Sequence, residues 1–412
     1  MTSNSQAETD FTPVTTFQGI ALGKLLEDLS AERVAVIGTG VQAKAVCKRL
    51  LKNETFNGQI VFVENNVDRL NAPVMGQLVM SFDQLLDELK PSGAGCLLIK
   101  PPFPNQEMQQ LLEAALGLGA ECVSSTRLAR PEAIVEVASS LGSISSVTSK
   151  ADHPKDMFMD GKKFELVLEK LVREFPELHS IDLSGRGDPI HHPDLQSIIS
   201  LASEQTFTTV VTRLSCATPN IDKLLQSDVD QIVVDFSDIL SEDAVQMLLG
   251  NLAYLGNMVL QENSEVELRC RFQKRKSNLK FLSQIEDHCA TNGIRLISEL
   301  AYPDPYDKIL HYRLTGEGQR EIDDAIWDVD FMADKALAQR DRACLCQRIF
   351  PVINSRTEVE VCHLYVNPKL SSDYLAEDGG ELIERRSKFN QCKICQSEGL
   401  HRLDLHILER ST

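Results

Sequence analysis

Short unbroken apolar runs alternate along the chain with longer stretches in which apolar residues recur every three or four positions. Runs of the first kind read as buried strands, and stretches of the second kind read as amphipathic helices. From about Phe17 to Ser145 the order is helix ("GIALGKLLEDL"), strand ("RVAVIGTG"), helix ("VQAKAVCKRLLKN"), strand ("GQIVFVENN"), helix ("MSFDQLLDELK"), strand ("GCLLIKPP"), helix ("NQEMQQLLEAALGLG") and strand ("AECVSS"). This order predicts a parallel sheet with helices on both faces. From Ser146 to Gln339 the alternation continues. About five strand–helix repeats in under 200 residues suit an open or partial βα barrel better than a closed eight-fold one. From Arg340 to Thr412 the pattern is irregular, with one strand pair, "IFPVINS" and "EVEVCHLYV". Residues 1–16 are polar and acidic and read as a flexible leader.

Composition narrows the class. A formal net charge of -18 argues against non-specific binding to nucleic acid or to anionic membrane. No apolar run is long enough to span a bilayer. The first residues lack the basic and apolar regions of a signal peptide, so a cytoplasmic protein is expected. The 412 residues suffice for two or three domains: 17–145, 146–339 and 340–412. Cysteine placement is uneven. Cys47, Cys96, Cys122, Cys216, Cys270 and Cys289 are scattered and read as core residues. Cys344, Cys346, Cys362, Cys392 and Cys395 fall together near the end, which in a reducing compartment suggests metal ligation more than disulfides.

Between the first long strand and the next helix, Gly38, Gly40 and Ala43 form G-x-G-x-x-A. The first glycine permits the tight turn, the second lets a pyrophosphate approach the backbone, and Ala43 permits close helix–strand packing. Glu64 ends the second strand, where an acid can bind a ribose hydroxyl. A Rossmann-like unit is expected, with NAD favoured over NADP because Glu64 would repel a 2′-phosphate. The alternative is a Rossmann-like fold whose loop holds no nucleotide. No acid–base partner for hydride transfer is evident in this segment.

The stretch "LSGRGDPIHHPDL" (183–195) resembles the glycine-rich region of radical S-adenosylmethionine enzymes, which often reads S-G-G-G-E-P followed by H-P-D-L. The resemblance covers roughly 146–403. It implies a barrel of radical S-adenosylmethionine type, with Gly185, Gly187 and Asp188 near the amino group of S-adenosylmethionine and Pro189 following. That family carries C-x-x-x-C-x-x-C after its first strand. Three thiolates there hold a [4Fe–4S] cluster whose fourth iron stays open to the substrate. Here "SISSVTSK" (143–150) is taken as that strand, and the resemblance then puts Ala151, Lys155 and Phe158 in the ligand positions. None of them can ligate iron in that role. Asp152, His153 and Asp156 lie nearby and could bind a divalent metal, though a polar loop is the blander reading. His191 and His192 could face the same mouth, although such histidines are more often hydrogen-bonded loop residues.

In the tail, Cys346 and Cys362 bracket a hairpin, and Cys392 and Cys395 stand two residues apart in "CKIC". This resembles the SPASM/Twitch extensions of the same enzymes, in which a similar hairpin holds an auxiliary [4Fe–4S] cluster. The usual turn glycine of that hairpin is absent, with Arg356 and Thr357 in its region, and Cys344 is a spare ligand. Four thiolates could equally hold zinc. Three expectations follow. The first is a degenerate member that keeps an auxiliary cluster but cannot cleave S-adenosylmethionine reductively, acting as a binding subunit beside a partner enzyme or a small-molecule substrate. The second is an NAD- or S-adenosylmethionine-dependent enzyme with changed, non-radical chemistry at the barrel mouth. The third is a structural adaptor with neither pocket occupied. Substrate, pathway and oligomeric state are not legible.

Overall fold

The fold is seen in a computed structural model. It describes residues 20–53, 55–66, 70, 72–89, 95–101, 106–125, 128, 131–139, 157–237, 239, 241–261, 264–300, 315, 326, 329–338, 340–341, 344, 349–363 and 369–402.

The first unit is a five-stranded parallel sheet. Its strands are β1 (Arg33–Ile37), β2 (Gln59–Val63), β3 (Leu78–Met80), β4 (Cys96–Lys100) and β5 (Glu121–Ser124). Their order is β3-β2-β1-β4-β5, so the order reverses between β1 and β4, as in doubly wound dinucleotide-binding sheets. Two apolar layers explain the unbroken runs. Val34, Val36, Ile60, Phe62, Leu97 and Ile99 meet helices α1 (Leu22–Leu29) and α2 (Val41–Lys52) on one face. Ala35, Ile37, Val61, Val63 and Leu98 meet α3 (Phe82–Leu89) and α4 (Gln106–Gly117) on the other. A strand covered on both faces has no polar side to show, so alternation is lost from its sequence.

The second sheet has nine strands in the order β11-β10-β9-β8-β7-β6-β12-β13-β14. Six of them, β6 (Glu132–Val135), β7 (Ser180–Leu183), β8 (Phe207–Thr212), β9 (Gln231–Asp235), β10 (Glu267–Lys274) and β11 (Arg295–Leu300), are parallel neighbours in chain order. The helices between them are α5 (Gly161–Glu174), α6 (Leu195–Gln205), α7 (Thr218–Leu225), α8 (Glu242–Gln261) and α9 (Leu282–Thr291). Asp160 caps α5 by accepting from the Lys162 and Lys163 N–H groups at 3.0 and 3.3 Å, a contribution of about 1 kcal/mol. Beyond α9 the helix α10 (Val329–Leu337) precedes the tail.

The tail does not stand apart from this sheet. β12 (Ile349–Ile353) runs parallel to β6 and continues the sheet, then pairs antiparallel with β13 (Val359–Glu360), which pairs with β14 (Lys369–Ser371). Two short helices follow, α11 (Gly379–Ser387) and α12 (Asn390–Ser397). The expected hairpin is therefore present. At its turn Thr357 takes φ 68°, the left-handed conformation that a glycine adopts without strain. It is held there by its hydroxyl bond to Asp373 (2.9 Å) and by its carbonyl, which accepts from Tyr374 N–H at 2.7 Å.

One difference from the sequence expectation matters below. The strand that opens the second sheet is Glu132–Val135, within the stretch assigned to the first domain. The stretch 143–150, expected to be that strand, lies outside the described residues. The apolar signal of "EAIV" is only four residues long, too short to separate from the first unit by pattern alone.

Candidate functional site

Side chains on the second sheet sort by face. Ile181, Leu183, Val210, Ile232, Val234, Cys270 and Phe272 join the helices in one buried core. The register places the opposite set side by side: Asp182 beside Thr209, Thr209 beside Gln231, Val233 beside Arg269, and Asp235 beside Arg271. The second face is thus polar and charged, a face suited to a polar ligand.

Asp235 and Arg271 form an ion pair across β9 and β10, at 2.5 Å. Burial opposes ionisation of Asp235, but Arg271, Arg213 and the Ser237 hydroxyl outweigh it and hold the carboxyl down to about 2. Asp182 behaves in the opposite way. Burial and the Glu132 charge push it up to about 7, against the Thr209 hydroxyl, Arg271 and His363. A carboxyl that titrates near neutrality on the same face as a charged pair is a candidate proton carrier.

At the C-terminal ends of β6 and β7 the glycine-rich stretch is tightly packed. A Cβ on Gly187 would lie 1.9 Å from the Ala138 carbonyl oxygen, and one on Gly185 (φ 151°) would lie 2.6 Å from a Glu136 carboxylate oxygen. These glycines are required by their neighbours in the fold. Asp188 is 1% exposed, and its two oxygens accept from Ile190 N–H (3.1 Å) and Arg213 N–H (3.0 Å). It pins the loop after β7 to the loop after β8. An ammonium ligand would have to share oxygens already engaged.

The segment 140–156, with Ala151, Lys155, Asp152, His153 and Asp156, lies outside the described residues. The residues that flank it are paired. Ser139 N–H donates to the Met157 carbonyl at 2.9 Å, and Met159 N–H donates to that of Val137 at 2.8 Å. Phe158 sits at this base with its ring edge-on to His192, centroids 5.4 Å apart. His192 is a structural residue. Its Nε2 bonds the Met159 carbonyl at 2.8 Å, and its Nδ1 accepts from Asp194 N–H at 3.0 Å. His191 Nε2 lies 3.5 Å from the Ser215 hydroxyl. Because the second sheet opens at Glu132–Val135, the ligand loop of the resemblance would begin earlier than 151. The chain has no cysteine between Cys122 and Cys216, so no three-cysteine motif stands in this region whichever alignment is used.

The tail cysteines pack into the helix-side core of the second sheet. Cys362 and Cys395 are buried, and Cys344 and Cys392 are packed against the same core. Burial pushes Cys392 up to about 11; Arg386 opposes this, while the charges of Cys362 and Cys344 add to it. His363, next to Cys362, is raised: Cys362 and Cys344 outweigh the effect of burial. Its charge in turn lowers Asp182. Cys392 and Cys395 share one side of α12 by their three-residue spacing. Cys346 lies outside the described residues, and among the described residues no three His, Cys, Asp or Glu side chains converge at metal-binding geometry. The donor chemistry fits a thiolate-bound metal: several soft ligands, a neighbouring guanidinium and an apolar enclosure.

In the first unit, Gly38 has φ 90° and Gly40 is extended, and a Cβ on either would meet nothing within 4 Å. Ala43 is buried against the sheet. Glu64 accepts from the Thr39 hydroxyl (3.2 Å) and from Asn65 and Asn66 N–H. The Val41 N–H at the head of α2 donates to Glu267 of β10 at 3.0 Å. The glycine pattern was legible in the sequence. Its partner, 226 residues away, was not.

Among the described residues no helix is long and apolar enough to cross a membrane. No family model and no curated protein matches the chain. Solved structures do resemble it. One is anSMEcpe with bound AdoMet, at 12% identity over 65% of this chain and 88% of that one, TM-score 0.41. Another is Streptococcus suis SuiB bound to the precursor peptide SuiA, at 14% identity over 72% of this chain and 76% of that one, TM-score 0.43. A third is BtrN in complex with AdoMet and 2-DOIA, at 13% identity over 66% of this chain and 88% of that one, TM-score 0.38.

Proposed function

We propose that the chain is a degenerate radical S-adenosylmethionine/SPASM protein, a binding or partner subunit that has lost reductive cleavage and keeps one metal centre in its tail. The observation that carries this reading is the distribution of cysteines over the fold. None stands in the chain between Cys122 and Cys216, which includes the whole connection from β6 to α5. Cys344, Cys362, Cys392 and Cys395 instead lie in the tail, buried in or packed against the core of the second sheet, where Cys362 and Cys344 are near enough to act on Cys392. Cys346, Cys362, Cys392 and Cys395 are the proposed ligands, with Cys344 as the alternative. A [4Fe–4S] cluster closed by four thiolates would carry electrons or brace the fold and would leave no iron open to a substrate.

The polar face is the proposed binding surface. Asp235, Arg271 and Arg213 offer fixed charges of both signs, and Asp182 offers a proton near neutral pH. This combination suits a zwitterionic or amino-acid-like group, including that of S-adenosylmethionine.

The test is anaerobic purification followed by iron and acid-labile sulfide counts, with zinc measured in parallel. About four irons and four sulfides per chain are expected, and replacing Cys362 or Cys392 by serine should abolish them. Zinc in place of iron would turn the site into a structural staple. Neither metal would overturn the reading.

A further inference from the structure

The head of α2 is where a doubly wound sheet receives a pyrophosphate: its free N–H groups and helix dipole attract an anion. An anion is already there. Glu267, the first residue of β10, places Oε2 3.0 Å from the Val41 nitrogen, while its Oε1 accepts from Arg269 Nε at 2.5 Å. Around this bond α2 lies across the lead-ins to four strands of the second sheet. Lys48 reaches both oxygens of Asp230, just before β9, at 2.9 and 2.7 Å. Arg49 pairs with Glu177, just before β7. Lys44 donates to the Glu265 carbonyl, and the Glu265 carboxylate accepts from Met75 N–H at 2.9 Å. Val41 and Ala45 pack on Phe207, which begins β8.

We propose that Glu267 is an internal substitute for a pyrophosphate. It locks the glycine-loop helix onto the N-terminal edge of the second sheet, so that the first unit works as a docking module and takes no dinucleotide while docked. Three observations converge on this. The N–H that a phosphate would need is engaged by a carboxylate tethered in the same chain, which competes at high effective concentration. The cavity of about 280 Å³ beside it is lined by Asp228, Asp230 and Glu265 as well as Lys44, an acidic surround for a phosphate. Glu64, expected on a ribose, spends its oxygens on Thr39, Asn65 and Asn66. The expected NAD site thus has its parts but not its opening.

The experiment uses the full chain with Glu267→Ala and Glu267→Gln variants. Calorimetric titration with NAD should show no binding by the wild type up to about 1 mM. Glu267→Ala should lower the first thermal transition by about 2–4 °C and expose the junction between the units to limited proteolysis. Glu267→Gln keeps an acceptor oxygen but loses the charge, so it should fall between the two and stands in if the alanine variant does not fold. Binding of NAD by the wild type at about 100 μM or tighter would overturn the proposal. Variants that melt and resist protease like the wild type would overturn it too.

Discussion

Arg271 and Asp235 sit directly opposite each other on neighbouring parallel strands, on the face of the second sheet that, among the described residues, no helix covers with apolar side chains. Removing the cation leaves a largely buried carboxylate without its main counter-charge. Arg271→Met should destabilise the chain by about 1–3 kcal/mol, at the low end for broken ion pairs because Arg271 keeps some solvent access. A lower urea midpoint at unchanged slope is the expected readout. Because Asp235 is held down to about 2, its stabilising effect is complete above the ordinary carboxylate range and fades as pH falls toward 2.

Asp182 predicts an opposite pH trend. It holds its proton to about 7, pushed there by burial and Glu132 against Thr209, Arg271 and His363. Between about pH 4 and pH 7 the folded chain therefore binds more protons at this site than the unfolded chain does, so its contribution makes stability fall as pH rises. Melting temperatures measured across that window should decline less steeply in Asp182→Asn. An unchanged slope would remove Asp182 as a group titrating near neutrality.

The glycines separate by what surrounds them. Gly187→Ala must displace the backbone of Ala138 and should cost about 3 kcal/mol or more. Gly38→Ala meets open space but must hold φ 90°, at a cost of about 1–2 kcal/mol. Gly40→Ala meets open space in an extended conformation and should change stability by no more than about 0.5 kcal/mol. Chemical denaturation of the three variants ranks them, and an equal cost at Gly187 and Gly40 would contradict the packing described.

The cysteines predict a selective loss. Cys392→Ser and Cys395→Ser should lose bound metal and lower the melting temperature, whereas Cys216→Ser, distant from the tail in sequence, should keep the metal. Elemental analysis of the purified variants distinguishes them.

Most of the strand and helix order was legible because continuous apolar runs and helical spacing differ plainly in period, but β3 (Leu78–Met80) was not, its three residues running into the expected helix "MSFDQLLDELK". The opening strand at Glu132–Val135 was not, since four residues carry too little pattern. The polar face carries a readable signal of its own. In "ELRCRF" the charged Arg269 and Arg271 alternate with Leu268, Cys270 and Phe272, the mark of a strand with one charged side. Asp182 between Ile181 and Leu183 is the same signal in β7. Glu267 at the head of α2 could not be read at all, because it joins distant parts of the chain through tertiary docking alone. The resemblance located the glycine-rich loop after β7, yet not the engagement of Asp188 by two backbone N–H groups.

The most direct measurement is 5′-deoxyadenosine formation by the anaerobically purified, iron-reconstituted chain with S-adenosylmethionine and a strong reductant. A chain without cysteines between β6 and α5 should yield none above a protein-free control. Formation that scales with protein concentration would contradict the loss of reductive cleavage.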